Sequence, residues 1–265
     1  MRIFMVFLGL CVLLACKKGA ISSDNVKLPA DTLTNVTDTT KKPVDTIKKP
    51  VDTTTKPTDP IPANQLKYLA LGDSYTIGES VERSDNFPNQ LVRQLEKSGL
   101  IVNTPTIIAR TGWTTSELQA AIQNYGLNKK FNFITLLIGV NNQYRGESIE
   151  TYRKEFKELL QTAINYVNGD TTHVFVVSIP DWGVTPFGKR SGRDQQQIAK
   201  EIDAFNAIKK EETLARGISY TDITPASRNA ATDLSLVATD GLHPSAKMYL
   251  DWAVHVAPEV LRGLK

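Results

Sequence analysis

Residues 66–75 read Leu-Lys-Tyr-Leu-Ala-Leu-Gly-Asp-Ser-Tyr. The first six form an apolar run of strand length broken only by Lys67, and the last four are small or polar. A run that is apolar at consecutive rather than alternate positions suits a strand buried on both faces of a sheet. Residues 106–109, 133–138, 174–179 and 218–222 repeat the pattern. Between these runs lie amphipathic stretches of helical period at 87–97, 116–125, 149–167 and 194–216, and a last one follows at 245–264. Thr114-Thr115-Ser116-Glu117 has the spacing of a capping box, Gly99 and Gly217 stand where helices should stop, and Pro244 fits a first helical turn.

Strand–helix alternation of this kind builds a parallel sheet covered by helices on both faces. Ligands then bind beyond the carboxyl ends of the strands. Those ends carry Gly72-Asp73-Ser74-Tyr75, Arg110-Thr111-Gly112-Trp113, Gly139-Val140-Asn141-Asn142 and Pro180-Asp181-Trp182, with Asp240-Gly241-Leu242-His243-Pro244 before the last helix. All five segments face one edge of the sheet, so a single site can draw on them together.

A serine hydroxyl is a weak nucleophile until a base takes its proton, and near neutral pH histidine is the natural base. Of the three histidines, His173 precedes the fourth strand and so lies at the wrong edge, and His255 falls within the last helix. His243 is on a loop at the correct edge. Asp240, three residues earlier, can fix its tautomer and stabilise the imidazolium. The competing reading is a turn at Asp240-Gly241 followed by a surface histidine. Acyl transfer also needs donors for the developing oxyanion, each worth about two to four kcal/mol. The Ser74 and Gly112 N–H groups and the Asn141 amide could supply three, although Gly112 alone also fits a tight turn and Asn141 a cap.

In these residues the chain resembles the SGNH/GDSL hydrolase superfamily. The namesake Ser, Gly, Asn and His map, in order, onto Ser74 of Gly72-Asp73-Ser74, Gly112, Asn141 of Gly139-Val140-Asn141, and His243 of the Asp240–Pro244 loop. The resemblance covers residues 66–265. It implies a flavodoxin-like three-layer α/β/α sandwich on a five-stranded parallel sheet, with Ser74 as nucleophile, His243 as base, Asp240 as its partner, and Ser74, Gly112 and Asn141 as the oxyanion hole. It implies an acyl-ester substrate and neither a metal nor an organic cofactor. The absence of a G-x-S-x-G elbow sets the chain apart from the α/β-hydrolase fold. Two positions depart from the pattern: Tyr75 replaces the Leu of the family name, and Asn142 stands where many members have Asp. Around the mouth, Trp113 and Trp182 could line an acyl or sugar subsite or simply cover the sheet edge. Asn142, Tyr144 and Arg145 are candidate substrate contacts, with an exposed loop as the plain alternative for the last two.

The N-terminus has a different organisation. Residues 3–15 are apolar or small and would span about 20 Å as a helix, short of the roughly 30 Å hydrocarbon core, so residues 1–15 read as a signal peptide. Leu13-Leu14-Ala15-Cys16 resembles a bacterial lipobox, making Cys16 the expected lipidation site; the alternative is an ordinary signal with a chance cysteine. Two or more acyl chains would anchor the protein stably to a membrane of the bacterial cell envelope.

Residues 16–65 are rich in Thr, Lys, Asp and Pro. Asp24, Asp31, Asp38, Asp45, Asp52 and Asp59 recur every seven residues, as do Pro43, Pro50 and Pro57. With no apolar a/d pair and a proline in each repeat, this is no coiled coil but a disordered tether, with a root-mean-square reach of about 40 Å. Such a stretch also suits O-glycosylation.

The chain has 265 residues, 41% hydrophobic and 22% charged, which excludes multi-span membrane and fully disordered classes. Its +3 charge would hint at an acidic partner, but of 31 basic residues Arg2 lies in the leader and eight lie in 17–65, and six of 28 acidic residues lie in 17–65. The remaining 22 of each leave the domain formally neutral, so no nucleic-acid partner is expected. The expected function is ester hydrolysis on small acyl esters such as O-acylated carbohydrate. The alternatives are a lysophospholipase or thioesterase-like lipid hydrolase and a catalytically silent stalked carbohydrate-binding module. A nucleotide-binding domain is disfavoured because the first loop lacks G-x-G-x-x-G or P-loop spacing.

Overall fold

The structure is a computed structural model that describes residues 65–265. The leader, Cys16 and the seven-residue repeats lie outside the described residues. Strand β1 (Tyr68–Gly72) is buried throughout and runs into a one-turn helix, α1 (Ser74–Ile77). There follow α2 (Phe87–Lys97), β2 (Thr106–Ala109), α3 (Thr115–Tyr125), β3 (Phe133–Leu137), α4 (Val140–Tyr144) and α5 (Ile149–Tyr166). The second half comprises β4 (Val174–Val177), α6 (Pro186–Arg190), α7 (Gln195–Leu214), β5 (Ser219–Thr221), α8 (Thr224–Ser227) and α9 (Ala246–Gly263).

The five strands form one parallel sheet in the order β2-β1-β3-β4-β5. Phe133, Leu136, Val174, Val176 and their neighbours are buried on both faces, as consecutive apolar positions require. Helices α2 and α9 pack on each other, while α5 packs between α3 and α7, giving the helical layers of an α/β/α sandwich. The α2–α9 contact buries Phe87, Leu91 and Leu95 together with Tyr249, Trp252 and Val256, each contributing about 1.5–3 kcal/mol through removal from water.

The order places the topological switch between β1 and β3: the chain leaves β1 to one side for β2 and returns on the other for β3. The crevice that opens there lies at the carboxyl ends of the two strands carrying Ser74 and Asn141. Gly72 pairs with Leu137 at the lip of this crevice. A Cβ on Gly72 would sit 2.3 Å from the Leu137 carbonyl oxygen, so only glycine lets the two strands stay paired up to the point where they diverge.

The capping box forms as its spacing implies, with the Thr114 hydroxyl and Glu117 carboxylate each taking the other's backbone N–H. Pro244 departs from expectation. It lies before the N-cap of α9, which is Ser245, and bridges Val237 instead of opening the helix. Helices α1, α4, α6 and α8 had no periodic signal, because four or five residues are too few to show an apolar stripe.

Candidate active site

Ser74 is the first residue of α1, directly after the N-cap Asp73, whose carboxylate accepts from the Tyr75 N–H at 3.0 Å. The one-turn helix thus starts where β1 ends and holds the serine at the sheet edge. Asp73 is buried beneath it. Burial pushes its carboxyl up to about 7, with the Tyr75 N–H and the positive charge of Lys209 working in the opposite direction. Lys209 is itself buried, donates to the Val177 carbonyl at 2.7 Å, and is pushed down to about 7 by burial. Burial thus disfavours the charged form of each group, while their mutual attraction opposes that shift in both.

The loop 238–244 brings in the histidine. His243 Nδ1 and Asp240 Oδ2 are 2.6 Å apart, which leaves Nε2 free. Asp240 Oδ1 accepts from the Leu242 and His243 N–H groups at 2.9 and 3.0 Å, and Oδ2 also accepts from the Ser80 hydroxyl at 2.8 Å. Partial burial tends to raise the Asp240 pKa, but the bonds from His243, Leu242 and Ser80 outweigh it and hold the carboxyl at about 2. Asp240, lowered in the folded state, therefore contributes stability above the ordinary aspartate range and loses it as pH falls toward 2.

Gly112 lies in a turn after β2 with φ +87°, a left-handed conformation that favours glycine. Asn141, in the first turn of α4, donates from Nδ2 to the Trp113 carbonyl at 2.9 Å. An amide nitrogen carries two hydrogens, so one holds the side chain and the other remains to give. Ser74, Gly112, Asn141, Tyr144, Trp182 and His243 all line one cavity of about 220 Å³. Sequence elements up to 169 residues apart therefore meet where the strand ends placed them.

Three of the candidate contacts, Asn142, Trp113 and Arg145, do not line the cavity. Asn142 is fully buried, with Oδ1 accepting from Thr115 N at 3.2 Å and Nδ2 donating to Thr115 Oγ1 and Glu147 Oε2, both at 2.7 Å. It ties α4 to the start of α3 and has no donor left for a substrate. This also gives its neutrality a reason: an aspartate there would face the Glu147 carboxylate in a buried setting. Asn142→Asp should therefore lower stability by about 1–3 kcal/mol at pH 7. Adding Glu147→Gln, which supplies a donor, should restore most of the loss in urea unfolding.

Trp113 is half-buried against the core and offers the site only its carbonyl. Arg145 turns its guanidinium to the Gly112 carbonyl and to Glu117 rather than to the cavity. Trp182 does line the cavity; its Nε1 donates to Gln143 Oε1 at 2.8 Å, and Tyr144 meets it edge-on at 5.3 Å. The remaining lining is Tyr75, Thr111, Val140 and Leu242, all from the strand-end segments, and Phe187, which lies outside them. Phe187 comes from the long connection after β4, where Thr185-Pro186 is a legible helix start and Thr185 does cap α6. His173 sits just before β4 and His255 bonds its own helix at the Asp251 carbonyl. Among the described residues no group of three or more His, Cys, Asp or Glu side chains is placed to hold a metal ion.

Residues 70–250 match the family model described as GDSL-like lipase/acylhydrolase. The chain belongs to this family. No curated protein matches it. Among solved structures, a lipase/acylhydrolase from Enterococcus faecalis is 21% identical, with a TM-score of 0.60 over 76% of this chain and 97% of that one. An acetylxylan esterase from Geobacillus stearothermophilus is 17% identical, with a TM-score of 0.57 over 75% and 94% of the two chains. A second acetyl xylan esterase is 15% identical, with a TM-score of 0.58 over 74% and 100%. These likenesses are of fold, and they agree with the five-stranded parallel architecture of the acylhydrolase described above.

Proposed function

We propose that this acylhydrolase is an exported, lipid-anchored serine esterase that works through an acyl-enzyme on small acyl esters. The observation that carries the reading is the bond between Asp240 Oδ2 and Nδ1 of His243, which lines the same cavity as Ser74, Gly112 and Asn141. With Nδ1 engaged, His243 Nε2 takes the Ser74 proton as Oγ attacks the ester carbonyl. The Ser74 and Gly112 N–H groups and the free Asn141 N–H receive the oxyanion. The imidazolium, stabilised by Asp240, returns the proton to the leaving alkoxide. Water then attacks the acyl-enzyme by the same route, releasing the acid and restoring Ser74.

For substrate we favour O-acylated carbohydrate. The seven-residue repeats would hold the domain clear of a membrane at which Cys16 is lipidated, within reach of extracellular polymers. Two structures sharing the fold are acetyl xylan esterases, which supports the same class. A chain-length series of p-nitrophenyl esters, run beside acetylated xylan and a lysophospholipid, tests this choice. Fastest turnover is expected on acetyl and other short chains, with acetate released from the xylan. Preference for chains of eight carbons or more, with release of fatty acid from the lysophospholipid, would replace it by the lipid-hydrolase reading.

A further inference from the structure

We propose that Arg145 is a positioning residue of the oxyanion hole, setting the Gly112 turn against helix α4 without touching the substrate. The inference rests on the proposed role of Gly112 and Asn141. A glycine at positive φ in an exposed turn is intrinsically free to move, and the backbone offers this turn little restraint beyond a 3.2 Å bond from Trp113 N–H to the Arg110 carbonyl. Three side chains supply what the backbone does not. Thr111 Oγ1 donates to the Glu79 carboxylate, Arg145 donates to the Gly112 carbonyl at 2.6 Å, and Asn141 donates to the Trp113 carbonyl at 2.9 Å. Three successive residues are thereby gripped.

Two of those grips come from one short element. Asn141 lies in the first turn of α4 and Arg145 caps its carboxyl end, four residues on and hence on the same side of the helix. One helix thus holds two consecutive carbonyls of the turn, and Asn141 is at the same time a proposed oxyanion donor. The arginine is held in its turn: Glu117 lies 3.2 Å from its guanidinium, and Glu117 is already fixed by its bond from the Thr114 N–H at 2.8 Å. The α3 capping box therefore braces Arg145, Arg145 braces Gly112, and the two donors of the hole keep a fixed separation.

Arg145 and Glu117 are both substantially exposed, so as an ion pair they contribute little to folding. Preorganised donors lose much of their effect when displaced by a fraction of an ångström to one ångström. A positioning role thus predicts a loss of rate out of proportion to any loss of stability. Arg145→Met should lower kcat on p-nitrophenyl acetate by about tenfold or more, with KM within about twofold. The melting temperature should stay within a few degrees of wild type. The rate at which an alkyl p-nitrophenyl phosphonate labels Ser74 should fall by a similar factor, because that step also builds charge on the oxygen in the hole. Arg145→Lys, which can still reach the carbonyl but not hold it with a planar fork, should recover part of the rate.

Unchanged kcat in Arg145→Met would overturn the proposal. So would loss of the native melting transition in both variants, since the pair would then be holding the fold and not the turn. Ser74→Ala, measured in parallel, separates this from the underlying reading. If Ser74→Ala is inactive while Arg145→Met turns over at the wild-type rate, only the positioning role fails. If Ser74→Ala remains active, the serine mechanism itself fails.

Discussion

Asp240→Asn is expected to lower kcat by about 10³- to 10⁴-fold while leaving the fold and KM nearly unchanged. The reason lies in which oxygen is held by what. Oδ1 accepts two backbone N–H groups, from Leu242 and His243, and can only be an acceptor. In the asparagine variant the carbonyl oxygen must take that position, which forces the NH₂ group into the place of Oδ2, facing His243 Nδ1. An NH₂ donates, so Nδ1 becomes the acceptor and the proton moves to Nε2, where it blocks uptake of the Ser74 proton. The same NH₂ also faces the Ser80 hydroxyl, which can rotate to accept, so the loop need not rearrange. Steady-state kinetics together with a melting curve measures the effect. A kcat within tenfold of wild type would mean that Asp240 does no more than shape the loop.

Ser74→Ala has the larger expected effect, a fall of about 10⁵-fold or to the limit of background hydrolysis. Ser74 is buried at the start of α1 and its Oγ has no hydrogen-bond partner among the described residues, so its removal disturbs no network. The Asp73 carboxylate, not the Ser74 hydroxyl, caps the helix, and the cap survives the substitution. Binding should therefore persist while turnover stops, and the variant should melt within a few degrees of wild type. Retention of more than about one percent of the rate, after exclusion of background, would place the nucleophile elsewhere.

Much of the fold was legible because its signals are local. The runs at 106–109 and 133–138 gave β2 as bounded and β3 to within one residue, and 87–97 is α2. A run of consecutive apolar residues, fully buried in β3 and half-buried in the edge strand β2, and a helix with one wet face differ in period within a few residues, and nothing distant is needed to tell them apart. The cluster of Ser74, Gly112, Asn141 and His243 was legible for a related reason: parallel strands put all their carboxyl ends on one edge, so topology alone brings them together.

What sequence could not give depends on partners that are far away in the chain. Ser80 reaches Asp240 across 160 residues, and no feature of Gly-Glu-Ser predicts it. Asn142 carried a family position and read as a contact, but its partners Thr115 and Glu147 turn it inward. From sequence Arg145 reads equally as a substrate contact and as part of an exposed loop; its direction is set by Glu117, whose own position comes from the capping box of α3. Trp113 and Trp182 were indistinguishable as residues after strands; Trp182 reaches the cavity because Gln143 and Tyr144 of α4 fix its ring there.

The claim on which everything else depends is that Ser74 becomes covalently acylated during turnover. Acid-quenching the wild-type protein within milliseconds of mixing with excess p-nitrophenyl acetate, followed by intact-mass measurement and peptide mapping, reads it directly. The expected result is an added acetyl group on the peptide containing Ser74, absent in Ser74→Ala and more abundant in any variant that slows deacylation. Full turnover with no adduct at any time point, or an adduct mapped to another residue, would contradict it.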